Sequence, residues 1–215
     1  MCGHESSITT QLEEIPNQLT TPTKILSLLR EKNFTEFVRT LNSSSFDVNH
    51  FYDEPDNGTL LDIACRSKGY REFVDILIEY GANINVINEK RGTAPIHEAV
   101  AFSDIGTLKI LLKNGCDVNL VDGSGHTPIL KAVFLARIDM LRILMEKNEV
   151  SLQPVEDQTI LHAFLHGLQE FAGGSGVTNP DENDLKRKYC ECLRYILYEA
   201  PRSKFDVTKA MLSGF

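Results

Sequence analysis

Pairs of like residues recur at one fixed interval in the middle of the chain. Gly92 and Gly125, Pro95 and Pro128, Ala99 and Ala132, and Leu111 and Leu144 each lie 33 residues apart. A period of this length is the mark of a solenoid, in which one small supersecondary unit is repeated and stacked. A pair of short helices cannot bury its own apolar side, so neighbouring units must cover one another.

Each position in the unit has a physical role. Pro95 and Pro128 suit the first turn of a helix, where the missing N–H is not needed. Thr127 can cap the helix that follows it, whereas Ala94 at the matching place has no hydroxyl to do so. Ile96, Ala99 and Val100 form an apolar face at helical spacing, as do Leu108, Leu111 and Leu112 on a second helix. Gly115, after Asn114, predicts a left-handed helix end. Asp117-Val118-Asn119 leads into an extended segment, and the cluster from Asp122 to Gly125 predicts its turn.

Ala94-Pro95-Ile96-His97 and Thr127-Pro128-Ile129-Leu130 resemble the Thr-Pro-Leu-His opening of the ankyrin repeat. The resemblance implies an all-α ankyrin-repeat solenoid of about four to five helix-turn-helix repeats with β-hairpin-like fingers. The expected organisation is a disordered leader over 1–22, a degenerate capping repeat over 23–56, repeats over 57–210 and a tail over 211–215. The capping repeat is read from Lys24–Arg30, Phe34–Leu41 and Asp47-Val48-Asn49, which echoes Asp117-Val118-Asn119. The next unit opens at Asn57-Gly58-Thr59, with Leu60 in place of the proline and Asp62 in place of the histidine. Asn148 is expected to close the helix beginning at Asp139. The last unit, from Gln158, carries an insertion near 172–184, and Asp206-Val207-Thr208 follows its second helix.

The chain has 30 acidic and 22 basic residues, a net charge of −8, which argues against nucleic acid or an anionic membrane as its main partner. No run approaches the roughly 20 apolar residues of a membrane span, and the first residues lack the apolar core of a secretory signal. Five cysteines without framework spacing suggest a reducing, cytoplasmic setting. His162 and His166 stand four apart on a helix, a metal-compatible spacing, yet no third ligand accompanies them. Cys190 and Cys192 should face different ways on their helix. Gly173–Gly176 lacks the strand and the Gly-Lys-Ser of a phosphate loop, and no nucleophile stands with a base and an orienting group. Neither catalysis nor a cofactor is expected.

What remains is surface. In ankyrin repeats the fingers and the outer positions of the first helices make one concave face. The resemblance therefore implies partner-binding positions at Asn88, Glu89, Lys90 and Arg91 on one finger and at Gly123, Ser124 and His126 on the next. The tips Asp53-Glu54 with Asp56-Asn57, and Glu156-Asp157-Gln158, complete the row. Arg66, Phe102, Phe134 and Leu135 fall on the first helices, with Phe102 and Leu135 expected side by side as an apolar anchor for another protein. Asn85 and Asn119 match the loop asparagine that the family offers to an asparaginyl hydroxylase.

A narrower likeness rests on Phe37–Leu41, Gly69–Val74 and Tyr80-Gly81 through Lys90. These stretches are similar to the cytosolic N-terminal ankyrin region of painless-type transient receptor potential channels. That implies an array docked to the rest of a channel polypeptide. The alternative is a free-standing cytosolic inhibitor or adaptor of the inhibitor-of-kappa-B type.

Overall fold

Threonine and proline set where the first helix of each pair begins. In the computed structural model, which describes residues 21–43, 45–53, 58–102, 105–147, 150–151, 159–172 and 180–199, the helices alternate in pairs. These are α1 (Thr21–Arg30) and α2 (Phe34–Ser43), α3 (Leu60–Cys65) and α4 (Arg71–Glu79), and α5 (Pro95–Phe102) and α6 (Ile105–Lys113). Then come α7 (Pro128–Phe134) and α8 (Ile138–Met145), followed by α9 (Ile160–Ala172) and α10 (Pro180–Arg194), which runs into a π-helical turn at Tyr195–Glu199.

The caps explain the starts. Thr59 Oγ1 accepts the Asp62 N–H at 3.2 Å while Asp62 Oδ2 accepts the Thr59 N–H at 3.0 Å, a complete capping box. Thr127 Oγ1 accepts from Leu130 N at 3.4 Å. Ala94 has no side-chain cap to give, but its own N–H is closed by His97 Nδ1 at 3.2 Å. The ends follow the glycines. Gly81 and Gly115 take φ of 85° and 76°, and Ala82 and Cys116 donate back to the carbonyls of Leu77 and Leu111. That is the Schellman closure expected where only glycine enters the left-handed region without strain.

The pairs stack in sequence. Each first helix packs on the next, α1 on α3, α3 on α5, α5 on α7 and α7 on α9; the second helices α2, α4, α6, α8 and α10 form the other layer. Ala64, Ala99 and Ala132 occupy one slot of successive first helices, and all are fully buried. A methyl side chain there lets neighbouring helices approach closely. The last repeat puts Phe164 in that slot, edge-on to Tyr189 at 5.5 Å between centroids. The stacking thus continues through a repeat whose sequence has drifted.

Two boundaries differ from the sequence expectation. Thr21 and Pro22 belong to α1 rather than to a leader, since proline is tolerated in a first helical turn. The insertion ends sooner than residue 184, because Pro180 opens α10. Cys192 is buried and Cys190 exposed, on different sides of α10. The expectations for residues 1–20, the finger tip 54–57, Asn148, the tip Glu156–Gln158, the glycines at 173–176, Asp206–Thr208 and the tail 211–215 lie outside the described residues.

Candidate functional site

The fingers join each second helix to the next first helix, so they line one edge of the stack while the helix turns line the other. Three of the fingers close as short antiparallel turns. Tyr52 pairs with Gly58, Asn88 with Thr93, and Asp122 N donates to His126 O at 2.9 Å.

Side chains lock one finger to the next. Asn49 Oδ1 accepts the Asn83 N–H at 2.7 Å, Asn85 Oδ1 the Asp117 N–H at 2.8 Å, and Asn119 Oδ1 the Ser151 N–H at 2.7 Å. Within each loop the preceding polar residue, Asp47, Asn83 or Asp117, accepts the N–H of that same asparagine. The pattern Asx-x-Asn therefore closes a local turn and reaches across one repeat. At the tips, Gly123 N donates to Gly92 O at 2.7 Å, and a Cβ on Gly92 would fall 2.9 Å from Gly123 Cα. Glycine is required there for both the contact and its φ of 67°.

His97 makes the deepest link. Its Nδ1 accepts from Ala94, so the proton sits on Nε2, which faces the carbonyls of Leu120 at 3.0 Å and His126 at 3.1 Å. Burial lowers the pKa of His97 against the opposing pull of Asp122, and burial likewise lowers that of His126. Asp62, in the corresponding slot one repeat earlier, reaches the neighbouring finger through Asn88 Nδ2 at 3.4 Å. Its other oxygen has no hydrogen-bond partner, and burial raises its pKa despite the donated bonds from Thr59 and Asn88.

The two histidines set a pH dependence whose sign is fixed. Both rings bind protons less readily folded than unfolded, so stability is full above the ordinary value of 6.5 and falls as pH drops below it. Thermal melts at about pH 7.5 and 5.5 are expected to show a lower midpoint in acid. The drop should shrink in His97→Gln, and an equal drop in that variant would contradict the assignment.

The structure separates the sequence-derived positions into three groups. Glu89, Lys90, Arg91, Phe102, Gly123 and Ser124 are exposed. Asn88 and His126 are 3% exposed and serve the fold rather than a partner: Asn88 Oδ1 closes the turn to Lys90 and Arg91, and His126 stacks on Phe134 at 5.2 Å. Phe134 is half-buried between His126 and His166. Arg66 caps α3 and is half-buried. Leu135 lies past the end of α7, half-buried in a groove on the helix-turn edge. His162 Nδ1 is engaged by Thr159, and among the described residues no three histidine, cysteine, aspartate or glutamate side chains converge.

Sequence reasoning missed the best-formed part of the finger edge. Between the first and second fingers lies a cleft of about 410 Å³ with Phe51, Val86 and Ile87 in its wall. Ile87 is 43% exposed. Lys90 crosses the cleft mouth, its Nζ 2.7 Å from Asp53 Oδ1 and 5.4 Å from the Phe51 ring centroid. An isoleucine in a turn-rich finger was the available signal, since such a position has no helix to pack beneath it.

Family models match at residues 56–89, an ankyrin repeat, and at residues 96–172, ankyrin repeats in three copies, together just over half of the chain. Similar proteins include an ankyrin repeat protein of fowlpox virus (strain NVSL), 32% identical over 136 residues, which cover 62% of this chain and 40% of that one. BCL-6 corepressor-like protein 1 of Homo sapiens is 36% identical over 115 residues, 53% of this chain and 6% of that protein. Protein phosphatase 1 regulatory subunit 12A of Mus musculus is 33% identical over 124 residues, 57% of this chain and 10% of that protein. The chain thus spans less than half the length of each.

Proposed function

The chain belongs to the ankyrin-repeat family, and from that premise we propose that it works by holding another protein against its finger edge, with no reaction of its own. The observation that carries this reading is the cleft between the first two fingers. It offers exposed Ile87 beside Phe51, with Asp53, Glu89 and Lys90 at the mouth. An apolar anchor ringed by charge is the usual composition of a binding hot spot. Phe102, 51% exposed, adds a second exposed apolar position at the end of α5, and Arg91, Gly123 and Ser124 are exposed at the finger tips.

The narrower readings concern what such a module is attached to. No helix among the described residues is long and apolar enough to cross a membrane. The matches to viral, corepressor and phosphatase-regulatory proteins give no support to the painless-type channel, nor to an inhibitor-of-kappa-B identity. The thiols of Cys65 and Cys116 are buried, and burial pushes that of Cys116 up to about 12, so both serve as small core side chains. Asn85 and Asn119 stay in the proposal as hydroxylation positions. Their Oδ1 atoms are engaged, while Cβ, where a hydroxyl would be added, takes no part in the bond. Mass analysis of peptides carrying either residue checks this.

Affinity capture with the Ile87→Asp plus Phe102→Asp variant tests the main reading. Both side chains are exposed, so the fold should survive. Each protein held specifically by the parent chain is expected to drop at least tenfold, on the order of 1.4 kcal/mol. Undiminished capture by a correctly folded variant would end the finger-edge reading.

A further inference from the structure

We propose a second docking surface on the opposite edge: a basic groove between the helix turns and α10 that takes an acidic, leucine-bearing helical segment of a protein partner. It lies away from the fingers and does not depend on the reading given for them. The groove encloses about 760 Å³, room for several side chains. Lys68, Arg71, Arg137, Arg187 and Lys188 line it, against the carboxylates of Asp139 and Glu191. Asp184 adds a third, shared between Arg187 and Lys188 at 2.5 and 2.7 Å. Among the described residues, five cations against three carboxylates reverse the balance of a chain with 30 acidic and 22 basic residues.

These cations come from the α3–α4 turn, the α7–α8 turn and α10, so only the folded stack assembles them. Two are held in place by the fold. Arg137 Nη2 donates to the Ala101 carbonyl of the preceding repeat at 2.8 Å. A Cβ at Gly106 would fall on the Arg71 guanidinium, so the glycine leaves the space that Arg71 occupies. Between the charges the wall is apolar: Leu135, Ile138 and Leu185 are half-buried, and Ile105 is 36% exposed.

Charge complementarity chooses the occupant. An acidic segment is repelled by the net charge of the chain and attracted here, which orients its approach. The apolar wall asks for leucine-like side chains on one face of that segment, with carboxylates on its flanks to meet the cations. A nucleic acid or membrane surface would need a broad basic face rather than one recessed groove.

Fluorescence anisotropy on the full chain tests this, with a labelled amphipathic peptide carrying leucine on one helical face and glutamate on the other. The parent chain is expected to bind it, more weakly as salt rises. K68E/R187E/K188E should weaken binding at least tenfold, and K68E alone, on a different wall from α10, should weaken it measurably. All three side chains are exposed, and an unchanged thermal midpoint confirms folding. The same peptide with glutamine for glutamate should bind at least tenfold more weakly, while I87D should leave binding unchanged. Equal binding by the triple variant, or loss in I87D, overturns the proposal. Displacement by inorganic pyrophosphate at peptide-like concentrations would overturn it in favour of a small-anion site. A tenfold gain on deleting residues 1–20 would overturn it in favour of that segment of the chain itself as the occupant.

Discussion

Asp122→Ala is expected to lower the unfolding free energy by about 3 kcal/mol, because it strips a nearly buried ion pair of one partner. The Asp122 side chain is 1% exposed and accepts Lys131 Nζ at 2.7 Å, together with the Ser124 and His126 N–H groups at 2.9 and 3.0 Å. Burial pushes its carboxyl up, but the Lys131 bond and charge and the two backbone donors outweigh burial and hold it below the ordinary value. Its contribution is therefore present above the unfolded carboxylate range and is lost as pH falls through the lower folded value. Removing the carboxylate leaves two finger N–H groups without their acceptor. It also leaves a lysine that is 17% exposed facing no counter-charge. Asp122→Asn, which can still accept from the backbone, should lose less. Urea midpoints check the order, and equal stability of Asp122→Ala and the parent would show that the third finger does not depend on this carboxylate.

Phe37→Ala is expected to remove about 3–5 kcal/mol from the first repeat. Phe37 is fully buried, and its ring meets Phe73 of α4 at 5.0 Å and 77°, with Phe34 on the same ring at 5.3 Å. In a linear stack each repeat contacts only its neighbours, so the damage should stay local. Hydrogen exchange should speed up across α1 and α2 while α5 to α8 keep their protection. A uniform loss of protection through α8 would mean that the stack melts as one unit.

The middle of the fold was legible because local and global signals agree there. Pro95, Pro128, Gly115 and the apolar faces of α5 and α6 each specify the same unit. The second repeat was recognisable although Asp62 replaces a histidine, since Thr59 and Asp62 form a cap of their own. Exposure was harder to read. Phe134 and Leu135 sit where the short helix α7 gives way to a turn closed by Ala136 at φ 51°, so helical periodicity stops applying to them. Asn88 and His126 look like loop residues in a sequence, yet each turns inward to close a finger. The finger cleft and the basic groove are built by residues from different repeats, and no single period displays them. The Asx-x-Asn recurrence at Asp47, Asn83 and Asp117 was visible, but that its last residue reaches across one repeat is a fact of three dimensions.

Rigid fingers are what allow a row of small units to act as one binding edge, and the asparagine relay is what joins them. Hydrogen exchange at the Asn83, Asp117 and Ser151 amides, compared between the parent and the single variants Asn49→Ala, Asn85→Ala and Asn119→Ala, measures that relay directly. Each variant should speed exchange at the one amide its carboxamide covers, 34, 32 and 32 residues further along, and leave the other two protected. Amides that exchange at open-loop rates in the parent, or that ignore the substitution, would contradict it.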